Sequence, residues 1–356
     1  MTSEKNSSAS CSCAPRSDKN QFITLTSKMQ ASEILTTTSG LTLKNRLDHV
    51  FARLGVNRTG HTVKPGLYKL GNPTSDSLVF ASANYTLSFD ALRCALAGTD
   101  CYILVLDTKG INVWCAAGKG TFGTDELVKR IMWSGLSNIV RHRTVIVPQL
   151  GAPGISAHEV QNRSGFKVEF GPVRASDLPE YLKTHKATPE MRRVHFALKE
   201  RLVLTPVELR HAIVPTIAAA IILYLLAGPL AALAAITTVI TGTVLFPALL
   251  PLIPTHDFST KGLILGLLVA IPFTISFAAN PAMPLLTKAI ISLALILTIP
   301  AVTAYLALNF TGCTTFTSRT GVKKEIYRYV PVIALLAGCG ILLLMILGAM
   351  RFMELV

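Results

Sequence analysis

The run Ala212–His256, AIVPTIAAAIILYLLAGPLAALAAITTVITGTVLFPALLPLIPTH, contains no Asp, Glu, Lys or Arg. A helix that crosses a bilayer needs roughly 20 apolar residues, so this run has room for two, parted by a tight turn at Gly228-Pro229. Working outward, the stretches 262–287, 289–318 and 329–350 are equally free of charge. The sequence therefore predicts five spans, near 211–227, 229–250, 262–279, 285–308 and 329–349. The first is short and contains Pro215. A mean hydropathy of +0.48 agrees with a membrane-embedded chain.

The residues before these runs mix charged, polar and apolar types, as a globular domain does. Three segments follow: a disordered tail over 1–34, a soluble domain over 35–205 and an all-α transmembrane domain of five helices over 206–356. Met1–Asn20 is rich in Ser, Lys and Asn and lacks an apolar stretch, so it reads as a tail and not as a signal peptide. The formal charge of +14 is read as reflecting positive residues that flank the spans. Arg192, Arg193, Lys199, Arg201 and Arg210 precede the first, Lys261 lies in the second loop, and Arg319, Lys323, Lys324 and Arg328 lie in the fourth. The opposite side has only Lys288 and Arg351. The positive-inside rule then puts the soluble domain in the cytoplasm of a cell whose inner membrane holds the spans. It also accounts for the basic charge without nucleic acid. Seven scattered cysteines do not suggest a disulfide framework, and no Cys-x-x-Cys-x-x-Cys run offers a home for an iron–sulfur cluster.

Within the soluble part, Leu43, Leu47, Val50, Phe51 and Leu54 recur at helical spacing, with Gly55 as a stop. Strands are predicted at Ser77–Ala81, Tyr102–Asp107, Ile111–Trp114, Val145–Val147 and Phe166–Phe170. Helices are predicted at Leu87–Leu96, from a Thr124 cap to about Leu136, at Ile155–Asn162 and at Ser176–His185. This alternation argues for an α/β sheet covered by helices. Pro189–Leu204 reads as a basic helix beside the membrane, with Met191, Val194, Leu198 and Leu202 on one face.

Chemistry concentrates in Gly110–Glu126, GINVWCAAGKGTFGTDE. Gly118, Gly120 and Gly123 make a G-x-G-x-x-G, which in a strand–turn–helix setting binds a dinucleotide. The acidic residue expected roughly 20 positions on is missing from Val140-Arg141-His142-Arg143. A phosphate-binding P-loop fails too, because Val113 and Gly120 stand where Gly and Ser or Thr are required. A third reading builds a metal or cofactor site on Cys115. Ala116, Ala117 and Gly118 leave space for a large flat ligand, and Lys119 puts a cation one helical turn from the sulfur. Against it stands the ordinary fate of a cysteine, burial as a small apolar group, to which Cys94 and Cys101 are assigned. A transporter is disfavoured because the spans hold almost no ionisable residue.

Asn112–Lys119, NVWCAAGK, resembles the cap-helix signature of the corrinoid proteins of bacterial mercury methylation. Val147–Gly154, VPQLGAPG, Ser164–Lys167, SGFK, and Gly171–Ala175, GPVRA, are similar to the corrinoid domain of the acetyl-CoA-pathway corrinoid iron–sulfur proteins. Asn309–Gly312 and Gly321–Glu325 extend the likeness into the apolar half. The chain departs from the iron–sulfur relatives in carrying Cys115 where they have Thr, and in having no cluster motif. It also lacks the Asp-x-His-x-x-G motif of histidine-ligated cobalamin enzymes. The resemblance implies a Rossmann-like corrinoid-binding domain and a methyltransferase that converts mercury(II) to methylmercury. Mercury(II) is an electrophile, so methyl would leave cobalt with carbanion or radical character. Cys115 would be the lower axial ligand to cobalt, where a thiolate donates electron density. Asn112, Val113 and Trp114 would fix its position. Ala116, Ala117, Gly118, Lys119, Gly120 and Thr121 would adjoin the corrin or its tail. Asn84, Thr86, Leu87 and Arg174 follow from an approximate correspondence. The implied partners are a small ferredoxin with two [4Fe–4S] clusters and a folate-linked methyltransferase, beside the membrane lipid itself. Two alternatives stay open: a membrane-anchored methyl carrier with another acceptor, and a nicotinamide-binding membrane reductase.

Overall fold

The computed structural model describes residues 33–314 and 319–353. The tail expected over 1–34, with Cys11 and Cys13, lies almost wholly outside the described residues. The chain forms two compact units, one from residues 33–40 and 62–191 and the other from 41–61 and 192–353. Residues 41–61 thus group with the later part of the chain. The reason is visible at Arg210, whose guanidinium donates to the carbonyls of Leu54 (3.3 Å) and Gly55 (2.8 Å) and ties the early helix to the later ones.

The first unit is a six-stranded mixed sheet. Its strands are β1 Leu35–Thr37, β2 Gly66–Leu70, β3 Val79–Ala83, β4 Cys101–Leu106, β5 Thr144–Val147 and β6 Lys167–Phe170. Their order across the sheet is β1-β2-β4-β3-β5-β6. β4, β3, β5 and β6 run parallel, and β2 joins β4 antiparallel. β3 and β4 are buried along their whole length, as parallel strands covered on both faces must be. Alternate residues feed two cores. Val79, Ala81, Leu104, Leu106, Val145 and Val147 point to one with Leu127, Ile131 and Val160. Phe80, Ile103, Val105 and Ile146 point to the other with Phe89, Leu92, Leu178 and Tyr181. β1 and β2 were not among the expected strands.

Five expected helices of this part of the chain stand close to their predicted places: α1 Leu43–Arg53, α2 Thr86–Ala95, α4 Thr124–Trp133, α5 Ala157–Ser164 and α6 Leu178–Thr184. α1 belongs to the second unit. The predicted strand Ile111–Trp114 gives way to helix α3, Val113–Lys119. The Asn112 side chain accepts a hydrogen bond from the Cys115 backbone N–H and starts that helix. Thr124 is the first helical residue and not the cap; its hydroxyl oxygen accepts from the Ser156 N–H instead.

The second unit holds five helices long and apolar enough to cross a membrane. They are built on α7 Thr205–Ala227, α8 Pro229–Ile240, α9 Phe258–Ala278, α10 Leu285–Asn309 and α11 Arg319–Phe352, where the uncharged stretches stand. α7 continues through Pro215. α8 passes into a π-helical turn at Thr241–Leu245. Such a turn accommodates the missing donor of Pro247. α9 and α10 meet through small residues: a Cβ on Gly262 would lie 2.6 Å from the Ala304 Cα, and one on Gly266 2.5 Å from the Pro300 Cα. The expected basic helix over Pro189–Leu204 is reduced to Leu198–Leu202. Phe196 takes a left-handed backbone, φ 47°, which helices exclude. Glu200 then accepts from the Ala197 N–H (3.0 Å) and restarts the helix there.

Candidate functional site

β3 is followed in sequence by β4 on one side and, after α3 and α4, by β5 on the other. The connection from β3 runs to β4 on one side, and that from β4 crosses back to β5 on the other; such a switch in direction opens a crevice beyond the carboxyl ends of the parallel strands. A cavity of about 330 Å³ lies there. Phe80–Ser82 of β3, Asn112–Trp114 after β4, Ile146–Pro148 at the end of β5 and Gly171–Ala175 after β6 all line it. The lining is mainly apolar, with Ser82, Ser88, Asn112 and Arg174 as polar exceptions.

The loop from β4 to α3 is held from below by Asn84. This residue is 4% exposed. Its Oδ1 accepts from the backbone N–H groups of Thr108 (3.0 Å) and Gly110 (3.1 Å). The Thr108 hydroxyl lies between Asn84 Oδ1 (2.8 Å) and the Ile111 carbonyl (2.6 Å), either of which can take its proton. Asn84 Nδ2 donates to Asp107 at 3.4 Å. Glu126 adds a second tie by accepting from the Asp107 N–H at 2.9 Å. The short loop thus delivers Asn112 and α3 to the crevice with the backbone N–H groups of Asp107, Thr108 and Gly110 satisfied.

Of the residues singled out in the sequence, Asn112, Val113, Trp114 and Arg174 line the cavity. Cys115 is the next residue on α3 and is partly exposed. Gly118, Lys119 and Gly120 are exposed at the far end of α3, and a Cβ on Gly118 would meet no atom within 4 Å. Ala116 and Ala117 sit on the inner side of α3. They are buried and face Phe122 and the turn Gln149–Gly154, where a Cβ on Gly154 would lie 3.1 Å from the Ala117 Cα. Thr121 folds back with its hydroxyl toward the Ala116 carbonyl (3.4 Å). Asn84 serves the loop. Thr86 and Leu87 lie outside the cavity lining, which takes Ser88, Ala91 and Leu92 from the same helix.

Phe80–Ser82, Ser88, Ile146–Pro148 and Gly171–Val173 were not among the site candidates. Their position at strand ends in an α/β pattern was the available signal. The dinucleotide reading loses its geometry, because Gly118 sits inside α3, Gly120 ends it with φ 81° and Gly123 starts α4. None of the three follows a strand directly.

The cysteines differ in surroundings. Burial, with the Asp100 charge adding to it, pushes the Cys101 thiol up to about 12. Burial also raises Cys94, with Arg93 opposing. Among the described residues no three or more His, Cys, Asp or Glu side chains gather as a metal site.

Residues 16–182 match the family model of the CO dehydrogenase/acetyl-CoA synthase delta subunit. The acetyl-CoA decarbonylase/synthase complex subunit gamma of Methanopyrus kandleri is 33% identical over 129 residues, 35% of this chain and 27% of the relative. The subunit gamma of Methanosarcina acetivorans is 31% identical over 130 residues, with the same coverage. That of Methanocaldococcus jannaschii is 28% identical over 130 residues, 36% of this chain and 26% of the relative. The chain therefore spans about a quarter of the length of these relatives. The similarity relates the sheet-bearing part to acetyl-CoA decarbonylase/synthase subunits, and the family match ends before the five long apolar helices begin.

Proposed function

We propose that the sheet-bearing unit binds a corrinoid at the crevice beyond β3, β4, β5 and β6, and that the chain transfers a methyl group from it to mercury(II). The observation that carries this reading is Cys115. It is a partly exposed sulfur on a capped helix whose preceding three residues line the cavity. The donor set fits such a group. A single thiolate makes a poor metal site by itself, but it completes one whose other donors come with a macrocycle. The cavity is at the lower end of the range of about 300–1,000 Å³ for small-molecule sites. It has room for a tail or side arm of a large flat cofactor, and the exposed Gly118 and Lys119 would be free to adjoin the rest. A bound corrinoid supplies a cobalt position that carries an exchangeable methyl group.

The chain's own residues do the positioning. Asn112 fixes the backbone at Cys115, and Val113 anchors α3 in the core. Arg174 gives the mouth a cation that suits an anionic substituent. Cys115 would hold the cobalt through its thiolate, and electron donation from that sulfur would suit transfer of methyl to an electrophile. The five helices form a membrane anchor with the sheet-bearing unit on the cytoplasmic side, as the charges of Arg192, Arg193, Lys199, Arg201 and Arg210 favour. Electrons for cobalt would come from a small ferredoxin with two [4Fe–4S] clusters, and methyl from a folate-linked methyltransferase.

The test is an anaerobic visible spectrum of the purified full chain, wild type beside Cys115→Ala, together with methylmercury production in cells at matched protein levels. We expect a corrinoid spectrum in both, with bands shifted in the variant, and loss of methylmercury in the variant. Absence of any corrinoid absorption in wild type would overturn the reading. The similarity to acetyl-CoA decarbonylase/synthase subunits favours a second reading, a methyl carrier with another acceptor. Corrinoid binding without methylmercury production would select it.

A further inference from the structure

Helix α1 is inside out by the standards of a globular protein. Leu43, Leu47, Val50 and Phe51 share one face at helical spacing and are 74%, 50%, 53% and 48% exposed. The opposite face carries Asn45, Asp48, His49 and Ala52, and these are the less exposed residues. Asp48 accepts from Nδ1 of the nearly buried His61 at 2.7 Å, and His61 Nε2 donates to the Val56 carbonyl at 2.6 Å. A surface helix ordinarily turns its apolar stripe to the protein and its polar face to water. Here the polar face is held by the protein, and the stripe points away from it.

Three further features say what covers the stripe. At about 100° per residue, Lys44 flanks it on one side and Arg46 and Arg53 on the other, all exposed. The single acid of the helix, Asp48, is engaged on the opposite face. The helix end is pinned to a defined level of the helical unit. Arg210 binds the carbonyls of Leu54 and Gly55, and a Cβ on Gly55 would lie 3.3 Å from Val207. Val207 and Arg210 are the last turn of α7 before its uncharged run opens at Ala212. The stripe is thus attached where a spanning helix would leave the hydrocarbon.

We propose that Leu43–Arg53 is an interfacial anchor that lies on an anionic phospholipid bilayer. Leu43, Leu47, Val50 and Phe51 enter the acyl boundary, while Lys44, Arg46 and Arg53 meet headgroup phosphates. The inference rests on the membrane reading of the five long helices. An amphipathic helix with basic flanks binds such a surface through buried apolar area and headgroup attraction. Each Lys or Arg near an anionic surface is worth about fivefold in affinity, from about 1 kcal/mol.

The experiment is hydrogen exchange of the full chain, followed by mass spectrometry, in nanodiscs of phosphatidylcholine alone and of phosphatidylcholine with phosphatidylglycerol. We expect exchange across 43–54 to slow on adding phosphatidylglycerol. Replacing Lys44, Arg46 and Arg53 together by Gln should remove that dependence, and Phe51→Asp should speed exchange in both lipids. Because the replaced side chains are exposed, exchange in the sheet-bearing unit should stay unchanged and report that the fold is intact. Exchange across 43–54 that ignores lipid charge and the Phe51→Asp change would overturn the proposal. So would protection that depends on protein concentration, which would mark a second copy as the occupant. Peptides from 263–277 and 286–308 serve as the control for the rest. If they too lack protection in nanodiscs, the membrane reading itself has failed. If they are protected and 43–54 is not, the anchor alone has failed.

Discussion

Asn84→Ala removes one buried oxygen that organises the loop leading to Cys115. Two backbone donors, the N–H groups of Thr108 and Gly110, lose their acceptor, whereas the Thr108 hydroxyl retains the Ile111 carbonyl. A buried donor left without a partner costs about 1–3 kcal/mol. Two of them, partly relieved by water entering the space of the lost side chain, give about 2–4 kcal/mol. At 1.36 kcal/mol per factor of ten, local opening of the loop should become about 30- to 1,000-fold more frequent. The assay is hydrogen exchange at Thr108 and Gly110 in the full chain without added cofactor, beside an Asn84→Asp variant. Asp retains the acceptor but replaces the weak donation to Asp107 with a like charge beside it, so its two amides should exchange faster than in wild type and stay better protected than those of the alanine variant. An Asn84 that served only to contact a ligand would leave the cofactor-free loop untouched. Exchange at Thr108 and Gly110 within a factor of two of wild type in Asn84→Ala would therefore refute the loop-organising role.

Three further outcomes follow from single features of the structure. At pH 7 a maleimide should modify Cys115 well before Cys101, because Cys101 is fully buried and its thiol is pushed up to about 12; faster loss of Cys101 in peptide mapping would contradict the packing. Gly154→Ala should destabilise the contact between α3 and the turn Gln149–Gly154 by about 1–3 kcal/mol, the usual cost of overpacking, since the new Cβ would lie 2.3 Å from the Phe122 carbonyl oxygen; an unchanged denaturation midpoint would exclude this. His61 is pulled down by burial, but the hydrogen bond and charge of Asp48 and the Val56 carbonyl outweigh that and raise it above 6.5. The raised folded value means its stabilisation is complete below about pH 6.5 and fades as pH passes upward through the folded value; the gap in unfolding temperature between wild type and His61→Gln should shrink from pH 5.5 to 8.5, and a widening gap would reverse the assignment.

The five long apolar helices were legible in the chain because length and freedom from charge are properties of each segment by itself. Packing does not enter, so Ala212–His256 and its three companions could be read one by one. The alternation of strands and helices was legible for a similar reason, since apolar period and helix-stopping residues act locally. Short and weakly patterned pieces were lost. β1 and β2 have three and five residues, and they exist as strands because β4 offers β2 an antiparallel edge and β2 offers β1 a further one. The start of α3 was misplaced because one side chain, Asn112, turns an extended segment into a helix.

At the candidate site, Asn112, Val113, Trp114, Cys115 and Arg174 could be named from sequence, but the crevice that unites four of them could not be located. It depends on β5 pairing with β3 and not with β4, a contact between residues as far apart as Phe80 and Ile146. The support that Asn84 gives the loop was hidden for the same reason: the loop returns to it 24–26 residues later. Periodicity found α1, yet it is silent on which way an apolar stripe faces. The bonds from Asp48 to His61 and from Arg210 to Leu54 and Gly55 help hold that stripe outward. Segment-by-segment solvent preference was written in the sequence, whereas strand order, loop support and helix orientation arise from long-range contacts that exist only once the chain has closed on itself.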